Sequence, residues 1–300
     1  MKTMWRALIV GLVLNLTSVA AAEIVVTGDA VVPVVVNGTA GRIRIDPAVP
    51  ALPMLVAPYA MRGELRPGPF AFAYLVGPER VLGRSAVTRI TIGEGGEERR
   101  RRVGWTERPY YPEADGVIGP GGLPDPVVRF VLRPSLPSER TVTLPMVDEG
   151  GLFGGWGGMY ALVDVGGTPI RIRFNPFHPR TLATAGAAIR LAAAHEGLVG
   201  GEAESVQIAF GIARPVRTLR LQRPLVIGPI SISTLGVRTS DFGNASAIRE
   251  EGGDPDEIVV TAERRRNTER DRIALGADSL ARCSSIVFDR DAGQIRLTCA

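Results

Sequence analysis

Two stretches of this chain, residues 34–50 and 163–179, align without a gap and are identical at nine of seventeen positions. Each reads as a strand, a tight Gly-Thr turn, a second strand and a proline-containing loop. A match this dense over two hairpins marks a duplicated unit, and a duplicated unit of hairpins limits the chain to an architecture of two like halves. Further on, residues 72–77 echo 208–213. Between the copies, residues 150–160 hold six glycines in eleven, a linker or lobe crossing.

The N-terminus reads as an export signal. Lys2 and Arg6 give a positive start, residues 7–16 are an apolar run, and Ala20 and Ala22 stand at signal-peptidase spacing before Glu23. Residues 1–22 are therefore expected to leave. The competing reading is a permanent anchor, for which the run is short. No other run approaches the ~20 apolar residues a spanning helix needs, so no transmembrane segment is expected after signal removal, and a periplasmic or secreted bacterial protein is. Lys2 is the only lysine. The formal charge of +4 is small for 300 residues, and the basic runs 99–102 and 264–266 sit beside acidic residues. They read as solvated loops, with no nucleic-acid partner.

Cys283 and Cys299 flank two short strands joined by an Asp- and Gly-containing turn at 289–293. Pairing about Asp291 sets Phe288 opposite Gln294, Ile286 opposite Arg296 and Cys283 opposite Cys299. In an exported protein this predicts a disulfide closing a terminal hairpin, contributing about 3 kcal/mol. Elsewhere, β-branched runs punctuated by Gly and Pro predict a mainly β fold. One alanine-rich stretch, 181–195, predicts a helix.

The order of these pieces resembles the pepsin and retropepsin family of aspartic proteases. In that family each lobe runs from a hairpin into an Asp-Thr-Gly loop, then a flap hairpin, then two apolar residues and a glycine. Residues 114–119 are similar to the family's Asp-Gly-Ile-Leu-Gly segment, and 273–280 to the Leu-Gly-x-Asp-x-Leu stretch of its bacterial members. The resemblance implies a two-lobed acid-protease barrel fold with short helices, lobes at 23–149 and 161–300, and a charged insert at 243–272. It also places the catalytic pair at Asp46 and Asn175.

That pair is degraded. Aspartic-protease chemistry needs two carboxylates sharing a proton about one water. Asn175 can neither hold nor abstract that proton. Pro47 and Pro176 stand where threonine is expected, without hydroxyl or N–H, and Ala48 and Phe177 replace the glycine. The resemblance therefore implies an inactive protein whose interlobe cleft binds a peptide or protein partner through Pro47, Ala48, Pro176, Phe177 and His178. The alternative is an active endopeptidase pairing Asp46 with another carboxylate such as Asp164 or Asp115. For Asp46 itself the simplest reading is a turn aspartate before proline. His195 is expected near a helix C-terminus. No metal-ligand spacing, nucleotide fingerprint or Gly-x-Ser-x-Gly elbow is present, and no cofactor is expected.

Residues 23–28 and 257–262 share the pattern Glu-Ile-Val-Val-Thr. It resembles the TonB box, an extended segment that pairs with the periplasmic TonB domain by strand addition. At 23–28 the reading is an ordinary first strand. At Glu257, Ile258, Val259, Val260 and Thr261, inside the charged insert, a contact with TonB or another envelope protein is the expectation.

Overall fold

The computed structural model describes residues 23–149, 157–252 and 270–300. The expected signal segment 1–22, residues 150–156 of the expected linker, and 253–269 with the segment Glu257, Ile258, Val259, Val260 and Thr261 lie outside the described residues.

The fold is mainly β. The first half runs β1 (Glu23–Val26), the hairpin β2 (Val31–Val36) and β3 (Thr39–Ile45), β4 (Met54–Val56), helix α1 (Ala57–Arg62), the hairpin β5 (Ala71–Val76) and β6 (Glu79–Ile92), β7 (Arg99–Thr106), β8 (Gly116–Ile118), β9 (Val127–Val131) and β10 (Arg140–Asp148). The second runs β11 (Met159–Val165) and β12 (Thr168–Phe174), β13 (Leu182–Thr184), helix α2 (Ala185–His195), β14 (Gly197–Ala209) and β15 (Ile212–Ile227), β16 (Ile230–Arg238), β17 (Arg272–Leu275), helix α3 (Ala277–Leu280), β18 (Cys283–Asp289) and β19 (Gln294–Cys299). After β1, the two halves follow the same order, with a 3-10 turn at Pro120–Gly122 standing where α3 stands. The duplication seen in seventeen residues thus extends over the described chain.

The pairings repeat as well. β3 runs parallel to β8, which pairs antiparallel with β4. β12 runs parallel to β17, which pairs antiparallel with β13. In the first half, β2, β3, β8, β4, β7 and β6 close into a six-stranded barrel, because Val34–Val36 pairs back onto Ile90–Ile92. Strands of both halves then interleave in the order β1-β9-β18-β19-β10. This leaves β5 as the edge of the first sheet, and β1 and β14 as the edges of the second.

Local chemistry explains the repeated hairpins. Asn37 and Gly38, and Gly166 and Gly167, all take positive φ, the two-residue turn that matches the twist of paired strands. Behind each proline loop a glycine is obligatory. A Cβ on Gly119 would lie 2.1 Å from the Val49 carbonyl oxygen, and one on Gly276 would lie 2.3 Å from the Arg180 carbonyl carbon. The central strands β8 and β17 bury Val117, Ile118, Ile273 and Leu275, as strands packed on both faces must.

Several expectations are corrected. The terminal hairpin does carry the Cys283–Cys299 disulfide, with an S–S distance of 2.06 Å. Its register, however, sets Phe288 opposite Ile295 and Ile286 opposite Leu297, and a bulge between Cys283 and Ser285 brings the cysteines back opposite each other. The shift puts Phe288, Ile286, Ile295 and Leu297 into the core together. The helix begins at Ala185 rather than Thr181. Leu182–Thr184 is a strand because it pairs with β16 and β17 inside the core, where pairing outweighs helix propensity. Thr184 then caps the helix, its Oγ1 accepting from the Ala187 N–H at 3.4 Å.

The basic run 99–102 is not a loop but the start of β7, and Arg101 donates to the Ala51 carbonyl at 3.0 Å. The linker is shorter than expected, since Met159 and Tyr160 already belong to β11 and pair with Asp148 and Val147. The insert is shorter too. Ala245 and Ile248 are buried in the second half, and Arg272 opens β17. The echo between 72–77 and 208–213 is out of step: β5 ends at Val76 and β14 at Ala209, so Ile208 matches Leu75. At the N-terminus, residues 23–26 form an ordinary strand parallel to β9.

Candidate functional site

The two proline loops leave equivalent strands in equivalent ways. The Asp46 N–H donates to the Ile118 carbonyl at 2.9 Å, and the Asn175 N–H to that of Leu275 at 2.8 Å. The loops also meet. The guanidinium of Arg44, two residues before Asp46, lies 5.1 Å from the ring of Phe177, two residues after Asn175. The same guanidinium covers the Tyr111 ring at 4.4 Å and pairs with Glu113 at 2.7 Å.

Asp46 has no solvent exposure. Its Oδ1 accepts from the Ala48 N–H at 2.7 Å, closing an Asx turn, and its Oδ2 accepts from the Tyr111 hydroxyl at 2.6 Å. Burial pushes the carboxyl above its usual range, opposed by Tyr111, by the Ala48 amide and by the guanidiniums of Arg173 and Arg44. Burial and the adjacent Asp46 likewise push the Tyr111 phenol well above its ordinary value. Among the described residues neither Asp46 oxygen is hydrogen-bonded to a second carboxyl. Asp164 is exposed near the end of β11 and accepts from the N–H of Gly167, in the turn that follows, at 2.9 Å. Asp115 accepts from the Arg42 N–H and pairs with Arg62, each at 3.0 Å.

The repeat counterpart of Asp46, Asn175, presents a buried Oδ1 with no hydrogen-bond partner among the described residues. It lines a cleft of 280 Å³ whose walls come from both halves. Ala48 and His178 line the same cleft, with His178 held at its ring nitrogens by Arg180 and by the Gln207 carbonyl. Pro176 and Phe177 do not. They face a separate hollow of 310 Å³ shared with Thr27, Phe130 and Leu280. Pro47 is buried. The five loop residues grouped by sequence are thus divided among three environments. His195 ends α2 as expected, its Nδ1 3.0 Å from the Arg223 carbonyl oxygen.

The long hairpins close the cleft from above. Phe210, at the tip of β14–β15, is buried among Val49, Leu52, Met54, Val76 and Val117 of the first half. Its ring stacks edge-on against Tyr74 and Tyr110, at 5.1 and 4.9 Å. In return the tip of β5–β6 rests on the second half. Gly77, at φ +62, abuts the buried carboxylate of Asp241, which Arg214 and Arg238 neutralise. Arg214 reaches back to Glu79 at 3.5 Å.

Sequence reasoning did not single out the cationic wall. Arg173 donates to the Tyr160 hydroxyl at 2.5 Å, and the guanidiniums of Arg173 and Arg272 stand 5.0 and 4.7 Å from that ring. Arg173 is the repeat counterpart of Arg44, so the identity at this position was a usable signal. Tyr111 and Tyr160 had none, since neither lies in a matched motif. Among the described residues no cluster of three His, Cys, Asp or Glu could hold a metal ion, and no helix is long and apolar enough to cross a membrane. Compared with known proteins, the chain matches no family model and no curated sequence.

Proposed function

We propose that this chain is a two-lobed protein of the aspartic-protease type that does not cut peptides, and that it holds a peptide or protein segment in the cleft between its halves. The observation that carries the reading is the state of Asp46. A protease carboxylate must share a proton with its partner across a water. Here both oxygens of Asp46 are occupied within the first half, by Ala48 and Tyr111, and the side chain has no exposure. Its counterpart in the repeat, Asn175, is an amide, which adds no acid or base. The element order, given twice, supports the two-lobed comparison. The disulfide supports export to an oxidising compartment.

Retention of the cleft supports binding. It is walled by β5 and β14, both sheet edges, whose backbone groups can pair with an added strand. The test is retention of extended peptides by the chain and by Ala73→Trp, a substitution on β5 at the cleft wall. The chain is expected to retain peptides and the folded variant to lose them. Equal retention by both would place binding elsewhere and overturn the reading.

A further inference from the structure

We propose that the cleft selects an extended peptide carrying an acidic side chain, whose carboxylate is bound by Arg173 and Arg272. The inference rests on the peptide-binding reading above and names what that site prefers.

The first support is a charge imbalance. Among the described residues, four arginines line the cleft, Arg173, Arg238, Arg270 and Arg272, against one acidic residue, Glu149. Arg238 is neutralised by Asp241. Glu149 lies 3.2 Å from Arg171 and 3.8 Å from Arg272, so it is shared and the contact with Arg272 is long. Among the described residues Arg173 makes no salt bridge; its hydrogen-bond partner is the Tyr160 hydroxyl, and its charge also acts on the buried Asp46. Gathering guanidiniums in a partly desolvated cleft is costly unless an anion joins them. Consistent with that crowding, burial and then the charge of Arg173 both pull Arg272 below the usual guanidinium range.

The second support is unused hydrogen-bonding capacity. The Nε of Arg272 is buried without a partner. A guanidinium fork suits a carboxylate, giving paired, charge-assisted hydrogen bonds. The buried Oδ1 of Asn175, on the same cleft, accepts nothing and suits a backbone N–H. Together with the edges of β5 and β14, these groups fit an extended backbone plus one acidic side chain better than a free anion.

The test is equilibrium binding of three labelled peptides, identical except for a central Glu, Gln or Lys. The Glu peptide is expected to bind at least roughly tenfold more tightly than the Gln peptide, with the advantage shrinking as salt rises. Arg173→Gln and Arg272→Gln should each remove that advantage, and Arg270→Gln, at an exposed position, should reduce it. A thermal melt of each variant separates lost binding from lost fold. Equal binding of the three peptides overturns the acidic preference while leaving the peptide cleft standing. Binding of none overturns the cleft reading itself. Glutarate competing at the same concentration as the Glu peptide would assign the site to free small carboxylates, and would overturn the proposal.

Discussion

The hydroxyl of Tyr111 donates to Oδ2 of Asp46 across 2.6 Å, although the two residues are 65 positions apart. With the Ala48 N–H on Oδ1, this bond satisfies a carboxyl that has no contact with solvent. Tyr111→Phe would leave Oδ2 buried and unpaired. The expected cost is about 1–3 kcal/mol of stability at neutral pH, read by denaturant unfolding.

Asp46 also predicts a pH dependence. Its carboxyl is raised above the ordinary 3.8, mainly by burial. The fold therefore binds this proton more readily than the unfolded chain does. The associated stability is fully present below the unfolded value and is lost as pH rises through the folded one. Asp46→Asn removes the titration while keeping an acceptor for Ala48 and adding an amide donor for Tyr111. Its stability relative to the parent should climb from about pH 4 upward. A difference that stays flat between pH 3 and 8 would contradict the environment assigned to Asp46.

Phe210 fastens the second half to the first. Phe210→Ala should cost about 3–5 kcal/mol, as for other large core truncations. Peptide retention by the cleft should weaken in the same variant, since the ring also braces Tyr74 and Tyr110.

Gly77→Ala combines two penalties. The residue sits at φ +62, and its new Cβ would lie 2.1 Å from the Asp241 carboxylate. The variant should lower the melting temperature more than Gly93→Ala, which shares a positive φ but meets nothing within 4 Å.

Replacing Cys283 and Cys299 together by Ser should cost about 3 kcal/mol, since the bond spans 16 residues. Chemical reduction of the parent should lower its melting temperature comparably.

The sequence disclosed the skeleton and hid the contacts. Asn37-Gly38 and Gly166-Gly167 have the local chemistry of hairpin turns, and so the repeat was legible. Register was less so. The bulge beside Ser284 depends on which face of β18 meets the core, a tertiary choice. Leu182–Thr184 looked helical because alanine propensity is local, whereas its strand partners lie more than 50 residues away. Asp46 and Asn175 were placed on equivalent loops by the repeat, and those loops do leave equivalent strands. Tyr111 and Tyr160 were not singled out, because what matters is where their hydroxyls arrive, and no spacing records that. Pro176 and Phe177 belonged to the right loop but turn toward the opposite side of it.

The most direct test of the account is a cleavage assay. The purified chain and its Asp46→Asn variant are incubated with a diverse peptide library at pH 3, 5 and 7, and new peptide termini are counted by mass spectrometry. The account predicts no cleavage that depends on Asp46 at any pH, with peptides retained by the cleft recovered intact. Termini generated by the parent and absent with Asp46→Asn would contradict it.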